Sequence, residues 1–246
     1  MRIYILNGSN EAACIQASER LSQFGAVFPV PARPSLPAPE QYHADMRFCK
    51  IADGVLVCSP ADSGSDFSRS LQSAGVHVIS GLTETGGAYP DTIAYNVLRA
   101  GSISFHNTKY TDPHLKELLE SGGRTLFHIR QGYAGCSSIA VPVQNGTLIL
   151  SSDMGILSAV SKINMSGTHG APCLFAEYFT DTDTIVLDGY DHGFIGGCCG
   201  FDADLGLLVC GKINGQLRAL SERYGFNIIS LYDGPLTDIG GILTVM

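Results

Sequence analysis

One order of parts, two strands followed by a helix and a third strand, recurs along the chain and restricts the possible folds more than any other feature. Its clearest copy spans residues 131–153. There small residues give way to β-branched ones, Asn145-Gly146 is typical of a hairpin turn, and Asp153 stands where a helix N-cap belongs. Five such units of uneven length can be laid out in the 246 residues. Self-similarity of this kind indicates a repeat architecture.

The strands of each unit are named a, b and c in chain order, and the helix lies between b and c. The predicted a strands are HADMRFCKI (43–51), NVLRAG (96–101), residues 132–141, GFIGGCCGF (193–201) and DIGG (238–241) with ILTVM after it. Capping residues predict helices over 66–74, from Asp112-Pro113 to Gly122-Gly123, from Asp153, and from Asn214 to Gly225.

The fifth unit is incomplete at the C-terminal end, and its missing half stands at the other end of the chain. Residues 1–30 supply the strand RIYIL, a helix over 11–24 and the strand AVFPV. The two termini are therefore expected to meet in one sheet and close a ring, which removes exposed strand edges. The prediction is an α/β fold: one five-bladed ββαβ propeller domain over residues 1–246. The alternative is an ordinary layered α/β domain.

Composition excludes several classes of function. The formal net charge of −8 argues against nucleic acid, which requires a basic surface, and suits a cationic ligand. Eight cysteines form no CxxC pair, so the spacing indicates neither a metal site nor a cofactor. The start lacks the apolar core of a signal peptide, and no apolar run is long enough for a membrane span. We expect a reduced, cytoplasmic protein. The sequence does not indicate an oligomeric state.

The predicted a strands share one property: each carries small or polar residues where a core strand would carry leucine. If all a strands line the axis of the ring, these side chains converge on one central pocket. The residues concerned include His43, Asp45, Asn96, Arg99, Cys136, Ser137, Cys198, Cys199 and Asp238. Asn96 and Arg99 are predicted to bind substrate together with Asp45 and Asp238.

The repeat and three short motifs resemble the guanidine-modifying-enzyme fold, or pentein fold, and more closely an uncharacterised bacterial family assigned that fold. His43-Ala44-Asp45 resembles the His-x-Asp motif of deiminases and amidinotransferases. Asp238-Ile239-Gly240-Gly241 resembles their acidic Gly-Gly segment, and Cys136-Ser137-Ser138 their nucleophilic cysteine. The order of the motifs differs from that of the enzymes, so the resemblance requires a circular permutation, which a closed ring with adjacent termini tolerates.

The resemblance implies hydrolysis or transfer at the C–N bond of a small guanidine-type compound. Cys136 would be the nucleophile and His43 its proton-transfer partner. Asp45 and Asp238 would hold the planar guanidinium through paired hydrogen bonds. Arg47, Arg99 or Arg130 could pair with a substrate carboxylate.

Structural readings of the same residues stay open. Cys136 could be a small strand residue, His43 a partner for Asp45 only, and Asp238 a turn cap. Asp191-His192 is an alternative acid/base pair, and a redox or metal role for Cys198-Cys199 is a further alternative. The rival function is that of a non-enzymatic binding protein for a protein or small-molecule partner. The ribosome anti-association factors, which have the same fold without the Cys/His pair, are the precedent.

Overall fold

The computed structural model describes residues 1–8, 10–36, 43–85, 93–107, 109–129, 138–143, 146–151, 156, 175–179, 184–188, 200–210, 213, 215–233 and 242–245. The strands are β1 (Ile3–Leu6), β2 (Ala26–Pro29), β3 (Phe48–Ala52), β4 (Val55–Cys58), β5 (His77–Ser80), β6 (Leu98–Ala100), β7 (Ile103–His106), β8 (Thr125–His128), β9 (Ser138–Val143), β10 (Gly146–Ser151), β11 (Phe175–Phe179), β12 (Thr184–Asp188), β13 (Gly200–Asp202), β14 (Leu207–Cys210), β15 (Asn227–Ser230) and β16 (Leu243–Val245). The helices are α1 (Glu11–Leu21), α2 (Ala44–Arg47), α3 (Pro60–Ser63), α4 (Asp66–Ser73), α5 (Pro113–Ser121) and α6 (Gly215–Tyr224).

The strands form five small sheets that share one pairing pattern. In each sheet the a and b strands are antiparallel, and the b and c strands are parallel. The sheets, written in the order a-b-c, are β3-β4-β5, β6-β7-β8, β9-β10-β12, β13-β14-β15 and β16-β1-β2. The five-unit repeat is therefore confirmed. The third sheet carries an additional edge strand, β11, which the sequence analysis missed.

The two chain ends meet in one sheet. Strand β16 pairs antiparallel with β1, so that Val245 lies opposite Ile3 and Leu243 opposite Ile5. The parallel partner β2 completes this unit on the other side of β1. The predicted closure by pairing of the N-terminal and C-terminal segments is confirmed.

The core consists of five apolar clusters, and each cluster lies between two consecutive units. Ile3, Phe48 and Leu56 join the fifth unit to the first, and Tyr4 and Val209 join it to the fourth. The other three clusters fill the remaining contacts between neighbouring units. The a strands β6, β9, β13 and β16 also contact one another in series. Burial of apolar surface at every boundary thus stabilises a closed ring with the a strands towards its axis.

Local capping explains the helices that the sequence predicted well. The Asp112 carboxylate accepts a hydrogen bond from the backbone N–H of Leu115 at 2.9 Å, and Pro113 follows at the first helical position. Gly123 and Gly225, after α5 and α6, have φ of 79° and 75°, the left-handed conformation that favours glycine. Helix α4 matches the predicted helix over 66–74.

The prediction that residues 43–47 begin an a strand is wrong. Ala44–Arg47 forms a single helical turn, α2, and β3 begins only at Phe48. Asn96 likewise precedes its strand, which begins at Leu98. The turn forms because the buried Arg47 guanidinium pairs with Asp62 and donates to the carbonyl of Pro31.

Several predicted features lie outside the described residues. These are the turn residue Asn145, the helix from Asp153, the cap Asn214, and the a-strand residues 132–137, 193–199 and 238–241. Over the part of the chain that the structure describes, no helix combines the length and apolar character needed to cross a membrane.

Strand β7 ends in a buried histidine, at a position that the first and fourth units fill with cysteine. His106 is 4% exposed, and its Nδ1 has no hydrogen-bond partner among the described residues. Cys58 and Cys210 end the corresponding b strands of two other units. The pKa of His106 is lowered to about 4, mainly by burial and also by the charges of Lys116 and His128.

Because of the lowered pKa of His106, we expect the folded protein to lose stability in mild acid. The unfolded imidazole binds a proton below its ordinary pKa near 6.5, whereas the folded one does so only near pH 4. Above pH 6.5 the protonation of His106 therefore does not reduce the free energy of unfolding. As the pH falls from 6.5 towards 4, the free energy of unfolding decreases by on the order of 3 kcal/mol in total. Urea unfolding at pH 7.5 and pH 5 should show a smaller decrease for His106→Gln than for the parent.

The exposed His77 provides the control for this measurement. His77→Gln should lose as much stability between the two pH values as the parent does. An equal decrease in all three proteins would show that His106 does not contribute to acid sensitivity.

Candidate active site

His43 and Asp45 form the centre of the candidate site on the single turn α2. The His43 Nδ1 atom lies 3.7 Å from Asp45 Oδ1, and the two side chains are 15% and 8% exposed. His43 is the N-cap residue of α2 and has an extended backbone, and Asp45 is the second residue of the turn that follows it. The predicted His-x-Asp pair is therefore brought together in a nearly water-free environment.

The Asp45 carboxylate is buried without a hydrogen-bond donor among the described residues, and its ion-pair partner is the His43 ring at 3.7 Å. Both carboxylate oxygens are buried, and neither accepts a hydrogen bond within the described part of the chain. Burying an ionised carboxylate without donors costs several kcal/mol. A cation or a set of hydrogen-bond donors bound at this position would offset that cost.

Asn96, from the second unit, reaches the backbone of the same residue. Its Nδ2 donates to the carbonyl oxygen of Asp45 at 3.1 Å and lies 3.4 Å from Met46 Sδ. Asn96 is 3% exposed. The structure thus joins His43, Asp45 and Asn96, as the convergence of the a strands predicted.

Arg99 lies elsewhere along the same unit boundary. Its Nη1 donates to the carbonyl oxygen of Lys50 at 3.3 Å, five residues beyond Asp45 in the chain. Its buried Nε has no acceptor within the described residues. The structure shows no contact of Arg99 with His43 or Asp45 among the residues it describes, and a role in binding substrate stays a prediction.

Arg47 is committed to a buried ion cluster. It is 3% exposed, and its Nη2 lies 2.5 Å from Asp62 Oδ1. Arg33 binds the other oxygen of Asp62 at 2.8 Å, and Ser59 donates to that oxygen at 3.1 Å. Arg47 therefore anchors α2 and is not available for a substrate carboxylate.

The sequence analysis missed this cluster. Asp62 lies within the turn that Ser59 caps, and the Ser59 hydroxyl accepts the backbone N–H of Asp62 at 3.2 Å. The pattern Ser-Pro-x-Asp is typical of a helix start, so a search for caps could have found Asp62. No local signal links Asp62 to Arg47, because the two are 15 residues apart.

Other candidate residues lie outside the described residues: Cys136, Asp238, Arg130, Asp191, His192, Cys198 and Cys199. Their positions in the chain are nevertheless informative, because candidates precede the start of several a strands. Asp45 stands three residues before β3, Asn96 two before β6, Cys136 two before β9 and Asp238 five before β16. In a ring with five equivalent sheets, the starts of the a strands lie at one end.

Burial lowers the reactivity of three of the four described cysteines. Cys14, Cys49, Cys58 and Cys210 are buried and not in disulfides. Burial raises the pKa of the Cys49 thiol to about 12 and raises the pKa of Cys58 and of Cys14 as well. Since the thiolate is the reactive form, Cys14, Cys49 and Cys58 are poor nucleophiles at neutral pH. Among the described residues, no group of histidine, cysteine and acidic side chains could hold a metal ion.

Solved structures of guanidine-modifying enzymes have the same fold. A mutant N-terminal domain of ArgZ bound to substrate, an arginine dihydrolase from Cyanobacteria, matches with a TM-score of 0.57 and 9% identity, covering 97% of this chain and 93% of that one. A DDAH mutant from Pseudomonas aeruginosa complexed with citrulline matches with a TM-score of 0.55 and 9% identity, covering 98% of each chain. A dimethylarginine dimethylaminohydrolase adduct matches with a TM-score of 0.54 and 10% identity, covering 98% of each chain.

At these identities the likeness establishes the fold alone: the chain has the pentein fold, an α/β ring that these guanidine-modifying hydrolases also have. The chain belongs to the family described as Family of unknown function (DUF6873), whose model matches residues 10–243. No curated protein matches the sequence. The resemblance to the pentein fold is confirmed, whereas the circular permutation stays a prediction.

Proposed function

We propose that this protein cleaves or transfers at the C–N bond of a small guanidine-type compound, with Cys136 as nucleophile and His43 as proton-transfer partner. The observation that carries the proposal is the Asp45 carboxylate, which is 7% exposed and without a donor among the described residues, 3.7 Å from the His43 ring. A guanidinium supplies the positive charge and the paired N–H donors that this carboxylate requires.

The proposed chemistry uses each residue once per half-reaction. The Cys136 thiolate attacks the guanidinium carbon and forms a C–S bond. The leaving amine departs with its bonding electron pair and takes a proton from the His43 imidazolium. In the second half, His43 removes a proton from water or an acceptor amine, which attacks the same carbon and releases the thiolate. Asp45 and, as a further proposal, Asp238 hold the guanidinium nitrogens in both halves.

Charge favours the same class of ligand. The net charge of −8 makes the protein anionic, so cations are enriched near its surface. Three of the described cysteines have a raised pKa, so a thiol activated by His43 would be distinguished chemically from the structural ones. The substrate is proposed by chemical class: a small cation of the agmatine or arginine type.

Mass spectrometry tests the proposal directly. Incubation with agmatine or arginine, acid quenching and peptide mapping should reveal a covalent adduct on Cys136, and release of amine should be lost in Cys136→Ser. In brief, limiting iodoacetamide treatment Cys136 should be labelled before the buried Cys49 and Cys58.

The Cys49→Ser variant is the matched control, since its thiol is buried and should not react. It should release amine at the parent rate. Binding of agmatine without adduct or amine release would instead support the binding-protein alternative. Absence of both binding and adduct would reject a guanidine ligand.

A further inference from the structure

The amide of Asn96 crosses a unit boundary to reach the turn that carries the Asp45 carboxylate. Asn96 precedes β6 of the second unit, and Asp45 precedes β3 of the first. The Nδ2···O distance is 3.1 Å, both residues are buried, and the acceptor is the backbone carbonyl rather than the carboxylate. This contact fixes the backbone of Asp45 and leaves its two carboxylate oxygens for another partner.

Helix α2 cannot hold this geometry by itself. It is one turn of four residues, and forming a first helical turn is unfavourable without external contacts. Two such contacts are present. Arg47 binds Asp62 at the C-terminal end of the turn, and Asn96 binds the Asp45 carbonyl near its N-terminal end. Both groups are buried, so each contact is protected from water.

We propose that Asn96 is a positioning residue: it holds the Asp45 backbone so that the carboxylate stays aligned with His43 and with a bound guanidinium. This inference rests on the proposed function and reassigns Asn96, which the sequence analysis placed in direct contact with substrate. Asn96 acts on the ligand through Asp45. A displacement of a binding group by about 1 Å can change rates by about 100-fold, so the effect is measurable.

The test compares Asn96→Ala with Asn107→Ala, a control in the same unit. Asn107 is also buried, at 4% exposed, and its side-chain oxygen accepts the backbone N–H of Lys109. Both variants lose one buried amide. Calorimetric titration with agmatine should show about tenfold weaker binding in Asn96→Ala and no more than a twofold change in Asn107→Ala.

A double-mutant cycle separates positioning from direct contact. If Asn96 acts through Asp45, then Asn96→Ala changes agmatine affinity little once Asp45→Asn is present. Full additivity of the two effects would show that Asn96 contacts the ligand itself, and would overturn the proposal. Unchanged affinity in Asn96→Ala on the parent background would overturn it as well.

A second readout does not depend on the ligand. The ring resonance of His43, assigned with His43→Gln, should shift in Asn96→Ala and stay in place in Asn107→Ala, because only the first loosens Asp45 beside the ring. If the parent binds no agmatine, the proposed function fails, and the His43 resonance alone decides on positioning. An unshifted resonance in Asn96→Ala would then reject it.

Discussion

Asp62→Asn is expected to destabilise the protein by about 3–5 kcal/mol, because it leaves the buried Arg47 guanidinium without its counter-charge and removes one of the two carboxylates that pair with the partly buried Arg33. Asp62 is 2% exposed and lies 2.5 Å from Arg47 and 2.8 Å from Arg33. For a chain of this size the loss corresponds to a decrease in melting temperature of roughly 10 °C. Urea unfolding followed by circular dichroism measures it.

Asp66→Asn is the matched control, four residues further along. Asp66 pairs with Arg69 in the same way, but the two side chains are 95% and 61% exposed. Exposed pairs contribute about 0–1 kcal/mol, so this variant should unfold almost as the parent does. Equal effects of the two substitutions would contradict a structural role for the buried cluster.

The same unfolding experiments test a further proposal, that residues 1–246 form one domain. The apolar clusters at the unit boundaries include one that joins β1 and β16 of the fifth unit to Phe48 and Leu56 of the first. Loss of Asp62 should then lower the stability of the whole ring. A single transition, monitored by several probes, is expected. Two separate transitions would indicate two domains.

Local signals explain which parts of the fold were predictable. Helix α5 could be placed from Asp112-Pro113 and Gly122-Gly123 because each end is fixed by residues beside it in the chain. The c strands and b strands are short apolar runs between turn residues. Ring closure followed from counting complementary halves, and the pairing of Ile3 with Val245 confirms it.

Long-range contacts explain what the sequence did not show. The turn Ala44–Arg47 depends on the ion pair of Arg47 with Asp62, and nothing near residue 44 indicates that pair. Strand β11 pairs only with the outer strand β12, a pairing without a counterpart in the other sheets. Repeat reasoning assigns each unit the same parts and cannot predict an additional strand.

In the candidate site too, contacts between residues close in the chain were predictable, whereas the details of contacts between units were not. His43 and Asp45 are two residues apart, and their proximity follows from the motif alone. The contact of Asn96 with the Asp45 carbonyl follows from placing neighbouring a strands around one axis, although the acceptor atom could not be foreseen. Arg99 stands three residues beyond Asn96, far enough along the chain for its guanidinium to contact Lys50 and not Asp45.

Asp45→Asn is expected to weaken guanidinium binding strongly, to an affinity that titration can still measure, and to leave the protein folded. A guanidinium would donate paired, charge-assisted hydrogen bonds to the carboxylate, and such bonds contribute about 1.5–3 kcal/mol each. Loss of two of them corresponds to at least about 100-fold weaker binding. Calorimetric titration with agmatine measures the affinity, and amine release measures the proposed activity.

Stability should change in the opposite direction. The empty parent buries a carboxyl group that accepts no hydrogen bond from the described residues, so an amide of the same shape, which carries no charge, lowers the desolvation cost. The melting temperature of ligand-free Asp45→Asn should therefore rise by a few degrees, at about 2–4 °C per kcal/mol. A carboxylate kept at such a cost is typical of a functional site.

Asp53→Asn controls for the loss of one negative charge. Asp53, six residues beyond the end of α2, is 79% exposed and pairs with Lys50 at 2.8 Å. The Asp53→Asn variant should bind agmatine with the same affinity as the parent. If Asp45→Asn binds agmatine as the parent does, the carboxylate is not a guanidinium site. If it instead melts several degrees below the parent, Asp45 has a structural partner and its burial does not indicate a ligand.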